Sequence, residues 1–190
     1  MMNLPNKLTL LRIILTPVFL ILFTVQAIPY HYLWAMLVFI IASVTDALDG
    51  HIARKENLIT NFGKFTDPLA DKMLTTAAFL GLMTMGYCNI WIVFIILFRE
   101  FGVSSMRLVA ASQGVVIPAG IWGKIKTASM MVLTPLVMLI ISLQEDFGVI
   151  PTTFPLALFS NIALGICAAL TLISGVLYLV EGTKIIDFSK

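Results

Sequence analysis

The chain has 190 residues, 59% of them hydrophobic and only 12% charged, with a formal charge of +2 and a mean hydropathy of +1.01. Soluble domains carry about a quarter charged residues, so a water-soluble domain of this size is excluded, and the surrounding solvent must be lipid. The small, scattered positive charge also argues against a nucleic-acid partner.

In chain order, Met1 to Arg12 mixes apolar and polar groups around Pro5 and reads as a short interfacial lead-in along the inner leaflet. Lys7 and Arg12 serve equally as plain orientation signals. The apolar run from Leu8 to Ala27 has span length and no small-x-small site after it, so no cleaved signal peptide is expected. Crossing a hydrocarbon core takes about 20 apolar residues. Six windows qualify, at about 8–27, 32–53, 68–87, 90–112, 123–143 and 155–181, with breakers at Ile28-Pro29, Gly63, Gly86, Gly114 to Gly120 and Gly148 to Pro155. In lipid each must be helical, because backbone amides have to be satisfied within their own segment. The expected fold is therefore an all-α integral membrane protein of six helices, one domain over 1–190 with no internal repeat. Cys88 and Cys167 lie in separate apolar stretches and read as small apolar residues.

Lys7 and Arg12 precede or open span one; Arg54, Lys55 and Lys64 fall between spans two and three; Lys124 and Lys126 open span five; Lys184 and Lys190 follow span six. The loops around Tyr30, Cys88 and Phe147 contain no Lys or Arg, and the last carries Glu145 and Asp146. By the positive-inside rule both termini are expected to be cytoplasmic, in the cell membrane. An even span count closes that assignment without contradiction.

Four of the ten acids, Asp46, Asp49, Asp67 and Asp71, fall in or at the ends of spans two and three. An intramembrane carboxylate is costly and marks function by default. Asp46 and Asp49 are spaced i and i+3, Asp67 and Asp71 i and i+4, so each pair lies on one helical face. A short inner loop lets the faces converge into a hard oxygen site suited to Mg²⁺ or Mn²⁺ rather than zinc. Two such ions can clamp the attacking and leaving oxygens of phosphoryl transfer. Singly, each acid has a structural alternative: Asp67 before Pro68 reads as a helix N-cap, and Asp71 with Lys72 as interfacial polar residues.

Residues 46–71 follow D-x2-D-G-x2-A-R-x8-G-x3-D-x3-D, through Asp46, Asp49, Gly50, Ala53, Arg54, Gly63, Asp67 and Asp71. This pattern resembles the signature of the CDP-alcohol phosphotransferases. Gly50 and Ala53 leave room for a nucleotide against the helix, or for close helix packing. Arg54 presents a planar fork to phosphate oxygens. The resemblance adds Thr60, Asn6 and Thr9 as contacts to the CDP-lipid, Asp71 as proton acceptor, and six transmembrane helices, usually in a homodimer, with the site opening to the inner leaflet. The segments LPNKLTLLR, REFGVSSMR at 99–107 and GKIKT at 123–127 resemble a bacterial branch of the family. That branch moves a phosphatidyl group from CDP-diacylglycerol to sn-glycerol 3-phosphate.

Arg99 and Arg107 inside span four, with Lys124 and Lys126 at span five, fit a phosphorylated acceptor. The alternatives are that Arg99 pairs with Glu100 and that the two lysines only set topology. Inositol phosphate, serine or phosphatidylglycerol as acceptor, and a cation transporter, are the competing functions. A transporter is disfavoured because no inverted repeat is visible and the acids sit near one face rather than at midplane.

Overall fold

The computed structural model describes residues 4–55, 61–115, 117–118 and 120–185, and within them the side chains of all but residues 4–5, 47–55, 61–65, 67–68 and 71. Among the described residues there are six α-helices and no strand: α1 (Leu4–Thr24), α2 (His31–Lys55), α3 (Asn61–Thr84), α4 (Ile90–Ser112), α5 (Ile121–Glu145) and α6 (Leu156–Gly182). The helix count and fold class agree with the sequence. Among the described residues three helices carry an apolar stretch able to cross a membrane by length and composition, Asn6–Thr24, Ile121–Glu145 and Leu156–Gly182. In α2 the described apolar stretch is His31–Asp46, and the last turns of that helix carry the acidic motif. α3 opens on the rest of that motif, and α4 is interrupted by Arg99, Glu100 and Arg107.

Two boundaries differ from the sequence reading. α1 runs unbroken from Leu4, so the lead-in is continuous with the span rather than a separate element. α3 starts at Asn61, several residues before the expected 68. Hydropathy locates the lipid boundary, whereas a helix can continue past it. Asp67 consequently lies inside α3, and the N-cap alternative for it fails.

α1 packs between α2 and α3, α6 between α4 and α5, and α2 meets α5. Along α1, Phe19 and Phe23 are fully buried and stack at 5.6 Å; Phe23 meets Tyr32 edge-on at 5.2 Å. A Cβ at Gly81 would lie 3.0 Å from the Phe23 ring, so a larger residue there would have to push that ring aside. Outward-facing Ile, Leu, Val and Phe, such as Phe98, Leu108 and Ile162, are largely exposed, as a lipid-facing surface requires. Hydroxyls within the helices bond back one turn: Thr16 to the Arg12 carbonyl at 2.9 Å, Ser160 to Leu156 at 2.8 Å and Thr171 to Cys167 at 2.6 Å. No polar hydrogen is thereby left facing hydrocarbon at those positions.

The helices alternate in direction, which puts the N-terminus of α1 and the C-terminus of α6 at one end. At the opposite end the Asp146 carboxylate accepts from the Leu33 amide at 3.0 Å and the Ser142 hydroxyl at 2.8 Å. An acid following α5 therefore satisfies an orphan amide in the first turn of α2. Glu145 accepts from the Tyr87 hydroxyl at 3.3 Å, and burial raises that hydroxyl's pKa, keeping it protonated.

Cys88 and Cys167 are free and buried, and burial pushes the Cys88 thiol up to about 12. The reactive form of a cysteine is the thiolate. We expect the protein in mild detergent to resist iodoacetamide at neutral pH and to be alkylated at both cysteines only after denaturation. Rapid labelling of the native protein would contradict this packing.

Candidate active site

The acidic motif occupies the last turns of α2 and the first turns of α3. Asp46 and Asp49, and likewise Asp67 and Asp71, therefore keep the helical spacing that puts each pair on one face. Thr60, between the two helices, lies outside the described residues, as do the side chains of Asp49, Gly50, Ala53, Arg54, Asp67 and Asp71. Asp46 is described, and its environment is informative. Arg12 reaches it from α1 at 2.5 Å and also donates from Nε to the Ala42 carbonyl at 3.3 Å. Arg12 is fully buried, whereas the Asp46 side chain is 34% exposed. A guanidinium in a lipid-embedded helix is tolerable only beside a carboxylate and polar acceptors. Arg12 meets that condition on the motif's first aspartate. Asn6 and Thr9 are buried on the same stretch of α1, at successive steps of three residues toward Arg12.

Opposite this cluster, α4, α5 and α6 surround a second polar region at the same end of the bundle. Arg99 donates to Ser174 at 2.7 Å and lies 3.4 Å from Glu100, so the alternative pairing with its neighbour also holds. Arg107 donates from Nε to the Tyr178 hydroxyl at 3.1 Å, with its guanidinium carbon 5.4 Å from that ring's centre. Both arginines line a cavity of about 370 Å³ walled also by Gly120 to Gly123, Ile125, Leu177 and Glu181. Gly120 is the N-cap of α5, with no side-chain cap. The positive end of a 25-residue helix thus faces the cavity beside two guanidinium groups. This is an anion-attracting chamber.

Of the two lysines expected here, Lys126 is buried and paired with Glu100, while Lys124 is exposed and does not line the cavity. The two polar regions are joined through Lys72. Its ammonium hydrogen-bonds the Ser104 hydroxyl, which bonds the Glu100 carbonyl at 2.6 Å. Sequence reasoning treated Arg12 as an orientation signal and did not find its pairing with Asp46. The available signal was an arginine within an apolar helix, which must find an acid. Ser174 and Tyr178 were also missed, because no motif marks them.

The model of one protein family matches residues 2–177, that of the CDP-alcohol phosphatidyltransferases. The chain belongs to that family. It is 40% identical over 186 residues to a Bacillus subtilis protein named CDP-diacylglycerol–glycerol-3-phosphate 3-phosphatidyltransferase, covering 92% of each chain. A Rickettsia typhi protein of the same name is 39% identical over 178 residues, with 94% and 96% covered. A Mycobacterium tuberculosis protein named as a probable phosphatidylglycerophosphate synthase is 36% identical over 189 residues, with 96% of this chain and 82% of that one covered. The family generally uses divalent metal ions. Four aspartates on two consecutive helices would supply the hard oxygen donors that such ions prefer.

Arg12→Met leaves the Asp46 carboxylate without its buried cation. Since that acid is partly exposed, the cost lies between a surface and a buried pair, roughly 1–3 kcal/mol. We expect a lower thermal midpoint in detergent and at least about tenfold less activity, with Arg12→Lys intermediate because one ammonium cannot span both Asp46 and Ala42. An unchanged midpoint and rate for Arg12→Met would refute the pairing's importance.

Proposed function

We propose that the protein transfers the phosphatidyl group of CDP-diacylglycerol to sn-glycerol 3-phosphate, forming phosphatidylglycerophosphate and CMP. The observation that carries the choice of acceptor is the two-arginine cavity at the end of the bundle that bears the acidic motif. An acceptor without its own phosphate would leave the two arginines of that chamber with Glu181 as the one carboxylate on its walls. The names of the relatives, and their near-complete coverage, support the same reading.

In this reading Asp46, Asp49, Asp67 and Asp71 would hold two Mg²⁺ or Mn²⁺ ions, Asp46 and Asp67 being the residues best placed to be shared between them. When bound, such ions offset charge on the diphosphate and lower the pKa of the attacking hydroxyl. Asn6, Thr9, Asp49, Gly50, Ala53, Arg54 and Thr60 bind the CDP-lipid: small residues admit the nucleotide and Arg54 contacts phosphate. Arg99 and Arg107, with Lys124 and Lys126 contributing positive field, hold the acceptor phosphate. Asp71 takes the proton of the acceptor's primary hydroxyl as that oxygen attacks the β-phosphorus and CMP departs with the bridging oxygen. The cation-rich end faces the cytoplasm in a bacterial cell membrane, and the enzyme works as a homodimer.

Purified protein given CDP-diacylglycerol and a panel of acceptors should release CMP with glycerol 3-phosphate and not with serine, inositol phosphate or phosphatidylglycerol. Release with one of the others instead would overturn the assignment. Asp71→Asn should lower turnover by a factor on the order of 10² or more with CDP-lipid binding retained. Near-normal turnover in that variant would remove Asp71 from the base role. Thorough chelation should abolish activity, and Mg²⁺ or Mn²⁺ should restore it.

A further inference from the structure

Two arginines make a useful phosphate site only if their forks are aimed before the substrate arrives, since an arginine side chain otherwise loses about 2 kcal/mol of rotamer entropy on binding. Both arginines here are held by the same face of α6. Ser174 and Tyr178 are one helical turn apart on that helix and almost wholly buried. Ser174 accepts from an Nη of Arg99, and Tyr178 accepts from Nε of Arg107 while its ring lies near the guanidinium. With Nε engaged, Arg107 keeps its outer pair of nitrogens, which have no partner among the described residues. Arg99 keeps Nε, buried and without a hydrogen-bond partner among the described residues. Its side chain is nine-tenths buried and lines the cavity.

The backbone of α6 is shaped for the same purpose. A Cβ at Gly175 would meet Arg99 Cγ at 2.8 Å, so the arginine stem lies flat on α6 only because that residue is glycine. Gly123 on α5 tolerates more: a Cβ there would be 3.8 Å from the Ser174 hydroxyl, an ordinary contact.

We propose that Ser174 and Tyr178 are the positioning residues of the acceptor-phosphate site, presetting Arg99 and Arg107 from α6. The proposal rests on the reading of this cavity as the acceptor site. Neither residue touches the reacting atoms; each acts through an arginine. Their effect therefore falls on acceptor affinity and leaves handling of the CDP-lipid alone.

Tyr178→Phe keeps the ring, its packing against Val103 and Met106, and its contact with the guanidinium, and removes only the hydroxyl. Ser174→Ala is equally conservative. Each should raise the KM for glycerol 3-phosphate about tenfold, as expected for losing a hydrogen bond to a charged group. The KM for CDP-diacylglycerol, kcat at saturating acceptor and the thermal midpoint should stay near wild type. Inhibition by inorganic phosphate, competitive with the acceptor, should weaken in parallel. Arg107→Ala is measured alongside. If Arg107→Ala raises the acceptor KM but Tyr178→Phe and Ser174→Ala do not, positioning by α6 is wrong and the site stands. If Arg107→Ala also leaves the acceptor KM unchanged, the cavity is not the acceptor site and the proposal falls with it. Equal rises in both substrates' KM values would indicate general loosening and overturn it as well.

Discussion

An arginine fully removed from solvent in an apolar helix must be paired, and in this protein that requirement ties α1 to the start of the acidic motif. Arg12 binds Asp46 and the Ala42 carbonyl together, fixing the height of α1 against α2 where the motif begins. Four carboxylates gathered at one end would otherwise repel each other. The guanidinium partly offsets that charge before any metal is bound. It also orients the first aspartate, because a fork bonded on two edges has little freedom to turn. The aromatic packing of Phe19, Phe23 and Tyr32 on the same helices then continues the α1–α2 contact toward the opposite end.

The bundle separates its polar work between two sets of helices. α1, α2 and α3 carry the acids and the groups assigned to the CDP-lipid; α4, α5 and α6 carry the cations of the cavity. Each set also holds counter-charge, Arg12 beside Asp46 in the first and Glu100 and Glu181 in the second. Glu100 shows how the boundary is managed. It takes up Lys126 and approaches one nitrogen of Arg99, which moderates the cationic side without occupying Arg107. Lys72 joins the two halves through Ser104 beside the last motif aspartate in sequence.

Much of this was legible in the residues. Hydropathy placed six helices because lipid demands long apolar segments, and the i, i+3 and i, i+4 acids stood out because charge at that depth is costly. Helix ends were less legible: α3 begins in the polar stretch at Asn61, where no apolar signal marks it. Pairings across helices were least so. Linear sequence announces that Arg12 and Arg99 need partners, but which partner depends on packing. Arg12 found Asp46, 34 positions away, while Arg99 found both its neighbour Glu100 and the distant Ser174. Lys124 and Lys126 look equivalent in sequence, yet their positions on α5 expose one and bury the other.

The account turns on which phosphorus is attacked and by what. Glycerol 3-phosphate carrying a heavy-oxygen label in its primary hydroxyl, reacted with CDP-diacylglycerol and the purified protein, resolves both by mass spectrometry of the products. The account predicts phosphatidylglycerophosphate with the label retained in its new phosphodiester, and unlabelled CMP. Phosphatidic acid together with labelled glycerol phosphate esterified to CMP, or label in free CMP, would contradict it.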